Sequence, residues 1–348
     1  MKSSNELQTC IIVGAGMAGL LAAKTLQSEG IETLVLDKGR GLGGRLATRR
    51  IENGVFDHGA QFLKTSNKRF QDVVRELLIK KVAGEWFNGT LGFPDITNLQ
   101  GRPHYIGLTG MTGIAKYLAQ DLTIHKQVRI TSIKQKGSVW KLLTDKGTSY
   151  KAASVLMTPP IPQTLSLLDP AILSAGANNR ELLESIVYKP NIAVMALLNG
   201  PSALPVPGVL RLEDGPLSWM ADNNRKGISP KGTALTLHAS HDFSVSNWQM
   251  GDGEIARHLL TTAGTWIGSE IINVQVHRWL YSRVANPLQA KNLVLQQVPI
   301  LLLAGDAFGG GDLEGAALSG LSAADVLLNW FDELGYRRRI GDLGVAGN

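Results

Sequence analysis

A chain of 348 residues with 44% hydrophobic content can bury about three quarters of the surface its unfolded form exposes, which suits two closely joined domains. This composition excludes a disordered or collagen-like chain, and the single cysteine, Cys10, excludes an internal disulfide or a cysteine-built zinc site. The net charge of +6 favours anionic partners such as nucleic acid, nucleotides or acidic lipid, although part of it is Arg337, Arg338 and Arg339 in a stretch that reads as a solvated tail over 337–348.

No apolar run reaches about 18 uninterrupted residues, so no membrane span is expected. MKSSNELQTC passes into IIVGAG without a signal-peptide core, which makes a cytoplasmic location the expectation. In chain order, 10–13 reads as a buried strand with Cys10 as packing rather than a reactive thiol, 20–27 as an Ala/Leu-rich helix, and 33–37 as a second strand. Residues 68–81 read as an amphipathic helix, 84–106 as irregular chain carrying Trp86, Phe87 and Phe93, and 112–121 as a helix. Short strands follow over 123–157. Proline-rich stretches at 159–162 and 201–207 mark expected domain crossings. Between 161 and 285, IAVMALL and ALTLHAS read as strands and 254–266 as a helix, a second, sheet-based domain inserted into the first.

Between the first strand and its helix lies Gly14-Ala15-Gly16-Met17-Ala18-Gly19. Gly14 permits the tight turn, Gly16 lets a pyrophosphate approach the backbone, Gly19 allows close helix–strand packing, and the helix N-terminus presents N–H groups to phosphate. Asp37 ends the second strand, where it can accept a hydrogen bond from an adenosine ribose. An acid there disfavours a 2′-phosphate, so the expected cofactor is FAD or NAD rather than NADP. Near the other end, an apolar strand over 300–304 leads to Gly305-Asp306, a glycine loop and a helix starting around Glu314-Gly315-Ala316. Asp306 suits a polyol hydroxyl and the helix start suits negative charge on a reduced ring. NAD needs no such distant segment, whereas FAD does.

GRGLGGRLATRR, residues 39–50, is either a flexible nucleic-acid tract or a phosphate cradle. Its fixed offset from the glycine fingerprint favours the cradle. Asp37-Lys38-Gly-Arg40-Gly-Leu-Gly43-Gly44-Arg45, continued by Asp57-His58-Gly59-Ala60-Gln61-Phe62, resembles the GG-doublet flavoproteins of the amine oxidase superfamily. Within that group DKGRGLGGR, DHGAQF, GPLSWMADN, LTLHAS, HRWLYSR and AGDAFGGGDLEGAALSG, in that order, resemble the bacterial renalase-like oxidases over nearly the whole chain. Phe243 and Val284 depart from the family pattern, at positions expected to shape the substrate cavity.

The resemblance implies an α/β fold: a Rossmann-type FAD-binding domain over 1–66, 107–160 and 286–336, with an inserted α+β substrate cap over 67–106 and 161–285, as in p-hydroxybenzoate hydroxylase. It also implies non-covalent FAD held by the 14–19 fingerprint, Asp37, Lys38, Arg40, Gly43, Gly44 and Arg45. Gly59, Ala60, Gln61 and Phe62 lie near the flavin ring, Val128 contacts adenine through its backbone, and Gly305, Asp306, Glu314, Gly315 and Ala316 hold the ribityl and pyrimidine end.

Hydride transfer to a flavin needs alignment rather than a dedicated base, and aromatisation drives hydride loss from a dihydronicotinamide. The activity implied by the resemblance is oxidation of 2- or 6-dihydro-NAD(P), with molecular oxygen as acceptor and hydrogen peroxide as product. His238, as a hydrogen-bond donor to a carboxamide or phosphate, and Trp219, Trp279 and Tyr281, as pocket walls, are the candidate active-site residues, with a structural histidine and core aromatics as the alternative reading. Lys189, before Pro190, reads as a surface residue, and His58, His241 and His277 lack metal-ligand spacing, so no metal is expected. Amine oxidation and a non-catalytic flavin-binding role stay open as alternatives. Nucleic-acid binding has only the charge in its favour.

Overall fold

The computed structural model describes residues 6–91, 96–174 and 178–335; Phe93 and the 337–348 tail lie outside them. Contacts group the chain into two compact units, Met1–Gly44 with Ala115–Val187 and Val284–Asn348, and Arg45–Ile114 with Tyr188–Arg283. The seams thus fall at 44, 114, 187 and 283, against boundaries near 66, 106, 160 and 285 read from the sequence. Prolines do not mark them. Pro160 caps the short helix Ile161–Leu165 inside the first unit, and 201–207 lies inside the second.

In the first unit, the strands Thr123–Lys126, Thr33–Asp37, Leu7–Val13, Ser149–Met157 and Ile300–Leu303 form a parallel sheet, with Leu293–Gln297 antiparallel at one edge. Continuous apolar runs such as CIIV and ILLL are what a sheet buried on both faces requires. The register pairs Val13 with both Leu36 and Met157, and Met157 with Leu303, so four strands end level and their following turns share one edge. That edge is where open α/β sheets bind ligands. The helices Met17–Ser28 and Leu313–Glu333 pack so closely that a Cβ on Gly320 would collide with the Ala18 carbonyl. Cys10 is fully buried, and burial pushes its thiol up to about 12, which leaves it an apolar packing residue.

The second unit is built on a five-stranded sheet in the order Val209–Arg211, Leu217–Asp222, Thr233–Ala239, Tyr188–Leu198, Ile271–Val284. Strict alternation sorts its two faces. Leu235 and Leu237 join Ile192, Val194, Ile255 and Leu259 in the main core under the helix Asp252–Thr262. Ala234, Met195 and Leu197 face the other way, onto Ile51 and Phe56 of the hairpin Thr48–Ile51/Gly54–Asp57.

The irregular chain expected over 84–106 is instead a second hairpin, Ala83–Leu91 with Ile96–Gly107. Its pairing shifts register three times and it carries Gly84, Gly89, Gly101 and Pro103, which destroys the period-two pattern by which strands are read. The helix expected over 254–266 is two, Asp252–Thr262 and Gly264–Ile267. Phe243, expected at the substrate cavity, packs against the main core of this unit from the helix His241–Ser246. Among the described residues no helix is long and apolar enough to cross a membrane.

Candidate functional site

At the level edge of the parallel sheet, Gly14 turns the chain with φ +108° and donates its N–H to the Leu36 carbonyl at 2.8 Å. A side chain there would meet the Thr158 hydroxyl, which itself donates to the Val13 carbonyl at 2.8 Å. Gly19 is forced as well, since a Cβ on it would strike the Gly14 carbonyl oxygen. Gly16 differs. Its backbone is extended, and a Cβ built on it meets nothing within 4 Å. As the cap residue of the helix Met17–Ser28 it offers no side-chain oxygen, so the amides of Met17, Ala18 and Gly19 have no side-chain cap. An uncapped helix N-terminus beside open space fits a pyrophosphate.

Asp37 organises the surrounding loops. Its two carboxylate oxygens accept the Ala15 N–H and the Gly39 N–H, each at 2.6 Å, and its carbonyl accepts the Val128 N–H at 2.9 Å. Each oxygen keeps lone-pair capacity for a ribose hydroxyl. The Ala15 carbonyl takes the Gly43 N–H at 2.8 Å, which lays the glycine pair, at φ +101° and +55°, alongside the fingerprint. Lys38 and Arg40 are exposed, and the Lys38 ammonium donates to Gln163 at 2.8 Å.

On the same edge, Gly305 has φ +135° and donates to the Ser319 hydroxyl at 2.8 Å, and Asp306 is buried. The helix Leu313–Glu333 is capped by Asp312, whose carboxylate takes the Gly315 N–H at 2.7 Å and whose carbonyl takes the Ala316 N–H at 3.0 Å. Two amides proposed from sequence for the flavin are therefore already paired. Leu313 and Glu314 are the remaining first-turn positions of this helix. The signal for this cap, Asp three residues before Gly315 at a helix start, was present in GGGDLEGAA.

In the second unit, the chain from Arg45 to Phe62 is tied down by partners remote in sequence. Arg45 donates to the Tyr281 and Ser282 carbonyls at 3.3 and 3.2 Å, and its own carbonyl accepts the Ala60 N–H at 2.9 Å. Asp57 is fully buried and forms an ion pair at 2.8 Å with the equally buried Lys226. The same carboxylate accepts the Thr48 hydroxyl at 2.6 Å and the Met111 N–H at 2.8 Å. The Asp57 carbonyl takes Thr236 Oγ1 at 3.0 Å and Gln61 Nε2 at 2.6 Å. Burial lowers the Lys226 pKa, and Asp57 opposes that shift.

Two of the predicted active-site residues meet at one atom. His238 Nε2 and Trp279 Nε1 lie 3.2 and 2.9 Å from the His58 carbonyl oxygen. The His58 ring stacks on Trp279, with centroids 5.3 Å apart, and stands edge-on to His277 at 4.8 Å. Burial drives His58 to about 3 and His238 to about 4, so both rings are neutral at pH 7. Trp219 pairs across strands with His238, and its ring lies 5.7 Å from Phe62 and 6.4 Å from Trp86. The Tyr281 ring stands edge-on to Tyr188 at 5.5 Å. Lys189 is exposed, and no group of the described residues could hold a metal ion.

Lys226 and His104 escaped the sequence-based reading, which named Asp57 and His58 within the DHGAQF motif but gave neither a role in the site. His104 is buried between Phe87, stacked at 4.1 Å, and Phe62, edge-on at 4.7 Å.

Comparison with known proteins then identifies the scaffold. The flavin containing amine oxidoreductase profile matches residues 88–328, more than half of the chain, and an NAD(P)-binding Rossmann-like domain profile matches 12–77. The chain belongs to the flavin-containing amine oxidoreductase family. Mouse renalase is 25% identical over 91% of this chain and 98% of its own length. Among solved structures, a putative protoporphyrinogen oxidase from Exiguobacterium sp. 255-15 covers 92% of this chain and 99% of its own at TM-score 0.71 and 15% identity. A putrescine oxidase variant covers 93% and 99% at TM-score 0.72 and 14% identity. The protein is thus a renalase-like, FAD-dependent oxidoreductase of mixed α/β fold with a Rossmann-like FAD-binding domain.

Proposed function

We propose that this flavoenzyme is an oxidase of non-standard dihydronicotinamide dinucleotides, 2- or 6-dihydro-NAD(P). The substrate gives a hydride, and molecular oxygen takes its electron pair and proton together with one proton from solvent, so the products are NAD(P) and hydrogen peroxide. In this reading the 14–19 fingerprint, Asp37, Lys38, Arg40, Gly43, Gly44 and Arg45 hold FAD at its adenosine and pyrophosphate end, with the Val128 backbone at adenine. Gly305, Asp306 and the helix start at Glu314 hold the ribityl and pyrimidine end, and Gly59 to Phe62 contact the flavin ring. Bound FAD supplies the hydride acceptor.

The observation that carries the reading is electrostatic. The aromatic faces of the second unit already have cations over them, Lys64 Nζ 5.4 Å from the Phe62 centroid and Lys226 Nζ 5.0 Å from that of Trp86. Arg45 and Arg49 lie on the same stretch of chain, while the Asp57 and Lys226 charges cancel within their buried pair. A cationic amine finds no anionic partner in that set, whereas a dinucleotide with its pyrophosphate is complementary to it. The neutral, tied-down histidines also suit a reaction that needs no base. His238, Trp219 and Trp279 then act by positioning the dihydropyridine ring.

Anaerobic mixing of the FAD-loaded protein with 2- and 6-dihydro-NAD(P) is expected to bleach the yellow flavin, which recolours on admission of oxygen with release of peroxide. Faster bleaching by a panel of amines would move the enzyme to amine oxidation. A flavin that no reductant in either set bleaches would leave a binding protein without turnover.

A further inference from the structure

His238 occupies one row of the second unit's sheet, paired with Trp219 on one neighbouring strand and Ala193 on the other. The preceding residues on the same face are covered. Ala234 packs under Ile51 and Phe56, and Thr236 Oγ1 donates to the Asp57 carbonyl at 3.0 Å. At His238 the covering chain has become the 58–62 segment, which occupies only one ring nitrogen, Nε2, through the His58 carbonyl at 3.2 Å. Among the described residues Nδ1 has no hydrogen-bond partner. The register neighbours of His238 offer no carbonyl or hydroxyl side chain: Ala193 carries only a methyl group and Trp219 an indole.

A backbone carbonyl can only accept, so Nε2 carries the proton of the neutral ring and Nδ1 presents a lone pair. This reverses the donor role expected from the sequence. We infer that His238 Nδ1 accepts an N–H from the substrate's carboxamide, and so selects a dihydronicotinamide over the corresponding dihydronicotinic acid. The inference rests on the dinucleotide reading above. A carboxamide brings two N–H donors to that lone pair. A carboxylate brings only acceptors, so its negative oxygens would face an imidazole lone pair after losing their water.

The chain is built to survive the test. Trp279 Nε1 also donates to the His58 carbonyl, at 2.9 Å, so His238→Phe leaves that carbonyl paired and keeps a ring of similar size. The experiment is anaerobic flavin reduction of the holoenzyme by 6-dihydro-NAD and by its deamidated counterpart, the same dinucleotide with a carboxylate in place of the carboxamide. In the wild type the second-order rate with the carboxamide is expected to exceed that with the carboxylate about ten- to hundredfold, and in His238→Phe the ratio should fall close to one. A ratio is unaffected by partial loss of folded protein, which a purely structural role would cause. A wild-type ratio near one, or an undiminished ratio in the variant, overturns the inference and leaves the dinucleotide reading standing. Failure of these two compounds and of the other 2- and 6-dihydro-NAD(P) isomers to bleach the wild-type flavin overturns both.

Discussion

The two units solve the same problem, holding a chain close to a ligand, by different means. In the first, the backbone does it: glycines, helix-terminal amides and one carboxylate, Asp37, whose partners Ala15 and Gly39 lie within 22 positions. In the second, side chains do it, and the partners are far apart. Asp57 meets Lys226 across 169 positions, and His58 meets Trp279 across 221. Backbone devices fail by exclusion of the ligand, while buried side-chain networks fail by loss of the fold, and the two are separable by experiment.

The largest expected effect is on the buried pair. Lys226→Met leaves the Asp57 carboxylate without its counter-ion, and breaking such a pair from one side costs about 3–5 kcal/mol. Denaturant unfolding of the FAD-saturated variant should show that loss, and combining it with Asp57→Asn should recover part of it. A loss below about 1 kcal/mol would show that Asp57 takes up a proton or water instead. In the first unit Lys38→Met removes an exposed charge, and its effect on stability is expected within about 0.5 kcal/mol.

The glycines of the first unit sharpen the contrast. Gly19→Ala collides with the Gly14 carbonyl and should lose both stability and FAD. Gly16→Ala meets no protein atom within 4 Å and has an ordinary extended backbone, so the apoprotein should melt as the wild type does. FAD affinity should nevertheless fall at least about tenfold, because the methyl group occupies the space proposed for pyrophosphate. Unchanged affinity would remove Gly16 from the cofactor site. Asp37→Ala is expected to lower FAD affinity about ten- to hundredfold, the worth of a charge-assisted hydrogen bond. FAD titration by fluorescence quenching measures all three.

The same contrast explains what could be read from the chain. Thr33–Asp37 and the fingerprint were legible because their signals are local: an apolar run, glycines at fixed offsets, an acid at the strand end. The helix begins at Met17, three residues before the periodic pattern shows, because glycine and alanine mask its first turn. The hairpin Ala83–Leu91/Ile96–Gly107 was illegible for the opposite reason, a period broken by bulges and glycines. DHGAQF was visible as a motif, and GPLSWMADN ends three residues before Lys226. Nothing in their spacing says that Lys226 closes on Asp57, or that His238 Nε2 is taken by a carbonyl, since those facts arise only when distant strands pack.

The last effect, visible only as a change of slope with pH, concerns a residue that no motif announced. His104 is 1% exposed, and neither ring nitrogen has a hydrogen-bond partner. Burial brings its pKa down to about 4 and the Lys64 charge adds to that, while the Arg102 and Phe87 carbonyls, near the ring without hydrogen-bonding geometry, pull the other way. Unfolded, the same ring titrates near 6.5. The unfolded chain therefore binds more protons between pH 6.5 and 4. The stability that His104 contributes is present in full above 6.5 and drains away as pH falls toward 4, at no more than about 1.4 kcal/mol per pH unit. His58 and His238 act in the same direction, so the wild type should weaken steeply across this window. His104→Phe keeps an aromatic ring against Phe87 and Phe62 but removes one titrating site. Its curve of unfolding free energy against pH should be flatter by up to that slope, and carboxylates that titrate at the lower end cancel in the comparison. At pH 8 the variant should be at least as stable as the wild type, because two buried nitrogens without partners are gone. Parallel curves would mean that His104 is already protonated or hydrated in the folded protein, and that burial in this aromatic cluster does not hold it neutral.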